Sequence, residues 1–314
     1  MRVLILHDEI RRPDIRPLFS GLQQYADVTI AALPKLASER LEESLQQYNA
    51  AGFDRVLLAL QFRRLVKQRK ALAKLNNLVV FEEDACQDRL PHSRWHGRFS
   101  RFYKSLPTLR VICTGYGLAQ HFRAQGVDAY FLPKGADCSQ LDDDGLSRDI
   151  GLGFIGVVND RVYRDRQRLL ASLVETRGLQ CLRTTGAAEY RRTLNRIRVF
   201  VSADIGFSEY MFKNAEAMAC GCLLLAYSQG KEEDAAMGLQ DGVNVLLYRD
   251  ENELLRKLDW LSANPDSCDA IRHAGHQLVR SQLDFGVLSA RLNDFLQLPL
   301  RTPPPRMKPW WQIW

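Results

Sequence analysis

The chain has 314 residues and a net charge of +6, with 46% apolar and 25% charged residues. This length suits two domains of ordinary size, and the composition is typical of a globular protein, not of a disordered chain. No apolar run approaches the roughly 20 residues of a membrane span, and the moderate positive charge favours an anionic partner: a nucleotide, a membrane or a nucleic acid.

The cysteines and the first residues indicate the compartment. Seven cysteines are scattered along the chain, and the only close pair, Cys220 and Cys222, has poor spacing for a zinc site or a redox pair. The first ten residues, MRVLILHDEI, enter a strand directly and lack the pattern of a signal peptide. We therefore expect reduced cysteines and a cytoplasmic protein.

Apolar runs and helical patterns alternate through the first half of the chain. The apolar runs predict strands over 2–7, 27–32, 55–60, 78–82, 110–114 and 129–132. The segments between them predict helices over 15–25, 36–50, 62–76, 92–106 and 117–125. Strands that alternate with helices at this spacing indicate a doubly wound parallel sheet.

A polar, turn-rich segment over 133–145 interrupts this alternation, which then restarts. Further strands are predicted over 150–155, 180–184, 199–203, 222–226 and 243–248. Further helices are predicted over 164–176, 188–195, 210–219, 251–262, 265–282 and 287–296. The predicted division is a first domain over 1–138, a linker over 139–149, a second domain over 150–285, and a terminal helix with a Pro- and Trp-rich tail over 286–314 that can cross back to the first domain.

The predicted fold class is therefore α/β, with two Rossmann-like, doubly wound parallel-sheet domains that face a cleft. Ligands of such sheets bind at the carboxyl ends of the strands. The stretch over 208–225, SEYMFKNAEAMACGCLLL, joins two predicted strands through a helix, and Lys213 and Glu216 share one face of that helix. A cation and a carboxylate beside a strand end suit a ligand with phosphate and vicinal hydroxyl groups.

Three other segments accompany this stretch. The segment over 111–137 contains a strand, a Thr-containing turn, a helix, a second strand and then Pro-x-Gly-x-Asp. The segment over 153–170 is GFIGVVNDRVYRDRQRLL, and the one over 241–261 contains D-x-x-E-L. In this order and combination they resemble the nucleotide-sugar-dependent glycosyltransferases with the GT-B fold. The stretch over 208–213 looks closest to the retaining glycogen-synthase-like and CgeB-like (spore maturation protein) glycosyltransferases of bacterial surface polysaccharide synthesis.

The resemblance implies roles in binding a sugar donor. Glu216 matches the second of two family Glu residues and is expected to accept hydrogen bonds from the ribose hydroxyls of a nucleoside diphosphate, while Lys213 neutralises the diphosphate. The first family Glu falls at Ser208 in this chain, and Glu209 lies one residue later. Ser208 and Glu209 are therefore both candidate donor contacts. The alternative for Lys213 and Glu216 is an ion pair on a solvated helix.

Other candidate donor contacts follow predicted strands of the second domain. Gly156 lets the backbone approach a phosphate closely. Four polar residues follow in the next loop and early helix, and one or two of them can clamp a diphosphate, because a guanidinium binds phosphate through two N–H groups. They are Asn159, Arg161, Arg164 and Arg166. The alternative for each is an ordinary surface residue. Thr185 follows the next strand, where a nucleotide base can pack.

Candidate catalytic residues follow the fourth predicted strand of the first domain. Glu82, Glu83 and Asp84 are consecutive, and clustered carboxylates raise one another's pKa, which suits a general acid or base. We select Asp84 as the base that an inverting transferase would need, with a helix N-cap as its alternative role. A retaining transferase can use the donor phosphate itself. His92 is expected to contact a sugar hydroxyl, and its alternative is an idle loop histidine.

Two segments of the first domain are rich in Arg and Lys. They are FRRLVKQRKALAK over 62–74 and RWHGRFSRFYK over 94–104. They predict either two solvated helices or a face that contacts anionic lipid and receives a lipid-linked acceptor. The Trp residues of the tail also suit a membrane interface.

The expected function is transfer of a sugar from a nucleoside-diphosphate donor to a glycan or lipid-linked acceptor, in lipopolysaccharide core or another surface polysaccharide. The site of action would be the cytoplasm or the inner face of the cytoplasmic membrane. The acidic run Asp142–Asp144 falls in the predicted linker, so we expect no metal site and no cofactor besides the donor substrate. No nucleic acid partner is expected. The alternatives are a nucleic-acid-binding module, a nucleotide-sugar epimerase of the same fold, and a non-catalytic relative.

Overall fold

A computed structural model of the chain describes residues 1–9, 15–158 and 164–302. The strands are β1 (Arg2–Asp8), β2 (Asp27–Leu33), β3 (Arg55–Ala59), β4 (Leu78–Glu82), β5 (Arg110–Cys113), β6 (Asp128–Phe131), β7 (Ile150–Ile155), β8 (Gln180–Leu182), β9 (Ile197–Ser202), β10 (Leu223–Tyr227) and β11 (Leu246–Tyr248). The α-helices are α1 (Arg16–Gly21), α2 (Lys35–Glu39), α3 (Leu41–Gln47), α4 (Phe62–Leu65), α5 (Arg69–Leu72), α6 (Arg98–Lys104), α7 (Tyr116–Ala124), α8 (Arg164–Arg177), α9 (Ala187–Arg196), α10 (Phe212–Ala219), α11 (Lys231–Ala236), α12 (Glu251–Ala263), α13 (Pro265–Leu278) and α14 (Phe285–Gln297).

The strands form two parallel sheets, one in each half of the chain. The first sheet has six strands in the order β2-β1-β3-β4-β5-β6, and the second has five in the order β11-β10-β9-β7-β8. Every strand pair within them is parallel. The α/β prediction with two doubly wound sheets is therefore confirmed. In each sheet the strand order reverses near the first strand of the domain, which places ligand sites at the carboxyl edge.

Alternate residues of each central strand enter the cores on opposite faces of the first sheet. Leu4 and Leu6 of β1 belong to one buried cluster, whereas Val3 and Ile5 belong to the other. Side chains of a strand point alternately to the two faces, so a strand buried on both faces is a continuous apolar run. This is why the strands were visible in the sequence.

The last described helix returns to the first sheet. Leu288 and Leu292 of α14 lie in the same buried cluster as Val3 and Ile5. Arg110 of β5 is fully buried and donates hydrogen bonds to the backbone carbonyls of Phe295 (2.5 Å) and Leu298 (3.0 Å) beyond the middle of α14. The end of this helix is thereby fastened to the first domain.

The predicted linker is docked on the second domain through its acidic run. Asp142 pairs with His276 at 2.9 Å and Asp143 pairs with Arg272 at 2.9 Å. Asp144 pairs with Arg191. The three carboxylates thus pair with basic side chains of α9 and α13 in the second domain.

Some predicted elements differ from the observed ones. The predicted helix over 62–76 is wrong as a single helix, because Gln68 leaves the helical conformation (φ −104°, ψ 15°) and divides it into α4 and α5. The predicted helix over 92–106 is observed only as α6, since Gly97 has a left-handed φ of 63° immediately before it. The predicted strand over 243–248 begins at Leu246, after a turn in which Gly242 has a φ of 75°.

No helix within the described ranges is both long enough and apolar enough to span a membrane.

Candidate donor-binding site

The carboxyl edge of the second sheet brings Gly156 and Lys213 together. Gly156 follows β7 with a φ of 155°. Its N–H donates a hydrogen bond to the backbone carbonyl of Leu182, the last residue of β8 (3.2 Å). A Cβ built on Gly156 would lie 3.2 Å from the Lys213 Nζ and 3.0 Å from the Phe154 ring. The absence of a side chain at Gly156 therefore leaves room for the ammonium group above the strand end.

Lys213 lies in the first turn of α10 and is half-buried, with no counter-ion in contact among the residues that the structure describes. Its Nζ lies 4.7 Å from the centroid of the Phe154 ring. Among the described residues it forms no hydrogen bond or ion pair. Burial lowers the pKa of Lys213, and the charge of Arg166 lowers it further, although Asp204 and Glu216 act in the opposite direction. A buried cation that nearby carboxylates do not fully compensate is suited to bind an anion.

Glu216 lies one helical turn after Lys213. Its Oε2 accepts a hydrogen bond of 2.6 Å from the hydroxyl of Tyr190 on α9. Its Oε1 accepts no hydrogen bond from the part of the chain that the structure describes. Burial raises the pKa of Glu216, while the Tyr190 hydrogen bond and the charge of Lys213 lower it. We call Gly156, Lys213 and Glu216 the donor cradle.

A hydrogen-bonded layer around Asp204 lies beside the cradle. Asp204 is 1% exposed and accepts from Arg166 Nη2 (2.7 Å), Ser202 Oγ (3.0 Å) and Asn214 Nδ2 (3.2 Å). Arg166 is itself 7% exposed and also donates to the carbonyl of Ala203 (3.0 Å). The structure thus places Arg166, one of the four candidate phosphate clamps, in a buried ion pair with Asp204.

The remaining predicted donor contacts are dispersed. Arg164 is exposed at the start of α8, and Asn159 and Arg161 lie outside the described residues. The N–H and hydroxyl of Thr185 both donate to Glu189 Oε2, at 2.8 and 2.7 Å, which links the preceding turn to the first turn of α9. Thr185 therefore helps to hold the helix that carries Tyr190.

Glu209 does not join the cradle. It is fully buried and faces the first domain, where its Oε2 accepts from Thr114 Oγ1 and from Lys134 Nζ, each at 3.0 Å. Burial alone would lower the pKa of Lys134, but Glu209 and neighbouring acidic groups raise it above its usual value. Ser208 precedes Glu209 with a left-handed φ of 56°, which is uncommon for a non-glycine residue and turns the chain at this point.

A second carboxylate joins the domains beside Glu209. Glu233 of α11 accepts from the N–H groups of Tyr116 (3.1 Å) and Gly117 (2.9 Å) at the start of α7. Burial raises the pKa of Glu233 to about 7, although both N–H groups act to lower it. We call Thr114, Lys134, Glu209 and Glu233 the interdomain seam.

The predicted catalytic residues lie on the first domain. Asp84 is exposed after β4 and precedes a short 3-10 turn, Ala85–Asp88, but its side chain makes no capping hydrogen bond. Its charge contributes to the raised pKa of Lys134, so it lies near the seam. His92 is exposed in the following loop, and no hydrogen bond or ion pair between described residues joins it to Asp84.

Sequence reasoning missed Tyr190 and most of the seam. Tyr190 is one of ten tyrosines, and nothing in its local sequence distinguishes it. Thr114 and Lys134 are separated from Glu209 by 95 and 75 residues. A contact over such a separation depends on how the two sheets pack, and no local pattern records it.

One family model matches part of the chain. Residues 164–294 match the family described as "Glycosyl transferase-like", and this region contains Lys213, Glu216 and Tyr190. No curated protein matches the sequence.

Solved structures with the same architecture span nearly the whole chain. Sucrose-phosphate synthase from Thermosynechococcus elongatus has a TM-score of 0.68 at 11% identity and covers 94% of this chain and 98% of its own. HepE of Anabaena, in complex with UDP and glucose, has a TM-score of 0.69 at 12% identity and covers 94% and 99%. T4 phage BGT, in complex with its UDP-glucose substrate, has a TM-score of 0.62 at 12% identity and covers 95% and 100%. At these identities the likeness establishes the fold, which is the GT-B fold of glycosyltransferases.

Proposed function

We propose that this protein is a glycosyltransferase that moves a sugar from a nucleoside-diphosphate donor to a glycan or lipid-linked acceptor. The observation that carries the proposal is the donor cradle. Within the described residues it holds a half-buried ammonium group without a counter-ion, next to a glycine and to a carboxylate with one oxygen that accepts no hydrogen bond. A diphosphate next to Lys213 would supply the missing anion, and ribose hydroxyls would supply donors for Glu216.

The reaction breaks the bond between the anomeric carbon of the sugar and the donor phosphate oxygen. The acceptor hydroxyl oxygen forms the new bond, and the nucleoside diphosphate leaves with additional negative charge. Lys213 stabilises that charge as it develops, which is the kind of interaction that lowers a transition-state barrier. Arg161 and Arg164 are proposed as further phosphate contacts, and Thr185 as a neighbour of the base.

The resemblance to the glycogen-synthase-like and CgeB-like branches favours retention of the anomeric configuration. In that case the departing phosphate accepts the proton of the acceptor hydroxyl. Asp84, exposed at the carboxyl edge of the first sheet, is the base that inversion would use, with His92 as a sugar contact. NMR of the product anomer distinguishes the two routes. The proposed reaction includes no cofactor besides the donor, so activity is expected to persist in EDTA.

The acceptor side is proposed to meet an anionic membrane. The segments over 62–74 and 94–104 contain no Asp or Glu, and they pack together through the stacked rings of Phe62 and Phe99, 3.6 Å apart. Their aromatic residues Phe62, Phe99, Phe102 and Tyr103 are buried, so contact with lipid would rely on charge. The exposed cations of this surface are Arg63, Lys67, Arg69, Lys70, Lys74, Arg94, Arg98, Arg101 and Lys104, of which Lys74 pairs with Glu42.

Vesicle binding tests this acceptor-side proposal. Wild-type protein should bind phosphatidylglycerol-containing vesicles and not pure phosphatidylcholine vesicles. The double variant Lys67→Glu/Lys70→Glu should lose at least tenfold in affinity, since each cation near an anionic surface contributes about 1 kcal/mol. Equal binding by wild type and variant would contradict the proposal, and steeply salt-dependent RNA or DNA binding without lipid binding would replace it.

A nucleotide screen by thermal shift tests the proposed activity. At least one of UDP, GDP, ADP and TDP should raise the melting temperature of the wild type, and Glu216→Ala should abolish that rise. Glu232→Ala is the control, because Glu232 is exposed on α11 and belongs to neither the cradle nor the seam. If none of the four diphosphates shifts the wild-type melting temperature, the proposal fails.

A further inference from the structure

Tyr190 is the only described residue that donates a hydrogen bond to the side-chain carboxylate of Glu216. The donated bond from its hydroxyl to Glu216 Oε2 is 2.6 Å long, and the ring packs at the edge of the second domain's core. Because Oε2 is engaged, the carboxylate cannot rotate freely, and Oε1 is held in one direction. The Glu216 carboxylate is therefore oriented before any ligand binds.

The helix that carries Tyr190 is connected to its surroundings near both ends. At its start, Thr185 donates two hydrogen bonds to Glu189 of α9. Near the other end of the helix, the Asn195 side chain donates to the carbonyl of Asp142 at 3.0 Å. Burial and the charge of Glu216 raise the pKa of Tyr190 well above its usual value, so the hydroxyl keeps its proton and remains a donor.

We propose that Tyr190 is a positioning residue that orients Glu216 and thereby sets the preference of the cradle for a ribose over a 2′-deoxyribose. This inference rests on the proposed nucleoside-diphosphate donor. A site built to pair with a hydroxyl rejects a ligand that lacks it, because the buried partner is then left unsatisfied. The rejection is strongest when the partner is fixed in place, and Tyr190 fixes Glu216.

We expect Tyr190→Phe to lose affinity selectively for ribonucleoside diphosphates. Without the Tyr190 hydroxyl, Glu216 can turn towards Lys213 or water, and part of its interaction with the ribose is lost. The Kd of a ribonucleoside diphosphate should rise about tenfold in Tyr190→Phe, as expected when a hydrogen bond to a charged group is removed. The Kd of the 2′-deoxy form should change much less, so the discrimination ratio should shrink.

Isothermal titration calorimetry tests this with UDP, GDP and ADP, each paired with its 2′-deoxy counterpart. The proteins are wild type, Tyr190→Phe, Glu216→Ala and the control Tyr48→Phe. Tyr48 is a half-buried tyrosine of the first domain, so its variant removes the same atom from a comparable environment far from the cradle. We expect a shrunken ratio in Tyr190→Phe and wild-type values in Tyr48→Phe. In Glu216→Ala we expect a ratio near one, with both forms bound only weakly, at nucleotide concentrations above those of the thermal-shift screen.

Other outcomes separate this inference from the proposed function. If the wild type binds none of the diphosphates, the proposed function fails. If the wild type discriminates through Glu216 and Tyr190→Phe matches the wild type, only the role of Tyr190 is overturned. An equal loss for both sugar forms in Tyr190→Phe would indicate a purely structural role and would also overturn it.

A pH series provides a second readout. The titratable and charged groups that face Glu216 are Tyr190 from α9 and Lys213 and Cys220 from α10. The Tyr190 hydrogen bond lowers the pKa of Glu216, so its removal should move the loss of diphosphate binding on acidification to higher pH. A structural role alone would leave that pH unchanged.

Discussion

The donor cradle and the interdomain seam both remove charged groups from water, but they satisfy those groups differently. In the seam, Glu209 Oε2 accepts from both Lys134 and Thr114, and Glu233 accepts two backbone N–H groups. Glu209 Oε1 is buried without a hydrogen-bond partner among the described residues. In the cradle, Lys213 has no counter-ion and Glu216 accepts a side-chain hydrogen bond at only one oxygen, among the described residues. A cation with a buried counter-ion holds the structure together, whereas a cation without one at a strand edge is available to a ligand.

This comparison explains why Glu209 is not a simple replacement for a glutamate at position 208. Moving the carboxylate by one residue, past the left-handed turn at Ser208, directs it to the first domain. Its partners there are neutral or positive groups of the protein. The expected functional difference is that Glu209 contributes to domain association and Glu216 to the donor.

The largest expected effect comes from breaking the buried pair of the seam. Lys134→Met leaves Glu209 buried with a charge and without its cation, so the free energy of unfolding should fall by about 3–5 kcal/mol. Urea denaturation followed by circular dichroism measures it. The double variant Lys134→Met/Glu209→Leu should recover much of the loss, because no unpaired charge remains. If the single and double variants lose equal stability, the loss does not come from the unpaired charge of Glu209.

The next effect is a pH dependence at Glu233. Its pKa is about 7 in the folded protein against 4.5 ordinarily, so the folded state binds the proton more tightly than the unfolded state. The contribution of Glu233 to stability is therefore fully present below pH 4.5 and decreases as the pH rises through 7, by up to about 3 kcal/mol. The stability difference between wild type and Glu233→Gln, measured at pH 4.5 and pH 8, should change by that amount.

Glu232→Gln is the matched control for this pH effect. Glu232 is the exposed neighbour of Glu233 on α11 and should show no such change. If the stability difference between wild type and Glu233→Gln is the same at pH 4.5 and pH 8, Glu233 does not titrate in this range.

An intermediate effect is expected at Lys213, with opposite signs for binding and stability. Lys213→Met should weaken nucleoside-diphosphate binding by about 1.5–3 kcal/mol, the usual range for a hydrogen bond to a charged group. Stability should stay the same or rise, because a desolvated ammonium group without a partner is removed. Calorimetric titration and urea denaturation measure the two quantities, with exposed Lys231→Met as the control. A large loss of stability with unchanged nucleotide binding would show that Lys213 has a structural role and does not contact the ligand.

The smallest effect is expected at Thr114. Thr114→Val removes one hydrogen bond to Glu209 and leaves the Lys134 pair intact, so stability should fall by about 1 kcal/mol. Nucleotide affinity should not change, since the seam is not expected to contact the donor. A tenfold loss of nucleotide affinity in this variant would show that the interdomain seam also affects donor binding.

Much of the fold could be predicted because local patterns determine it. The doubly buried strands are continuous apolar runs, and their alternation with helices leaves few topologies. The errors occur where single residues depart from regular conformation, as at Gln68 and Gly97. Arg166 shows a different limit. Its position in the sequence suits a contact with phosphate. In the structure it forms a buried ion pair with Asp204, which lies 38 residues later in the chain.

The sequence by itself determined that Gly156, Lys213 and Glu216 would meet. Each is placed by a strand end or by the helix that follows it, and parallel strands bring those ends to one edge of the sheet. The tertiary structure alone decided that Glu209 faces the other domain, that Glu233 caps a helix of that domain, and that Tyr190 aims Glu216. These contacts join distant segments whose relative positions follow from packing between sheets and helices, which no local spacing of residues encodes.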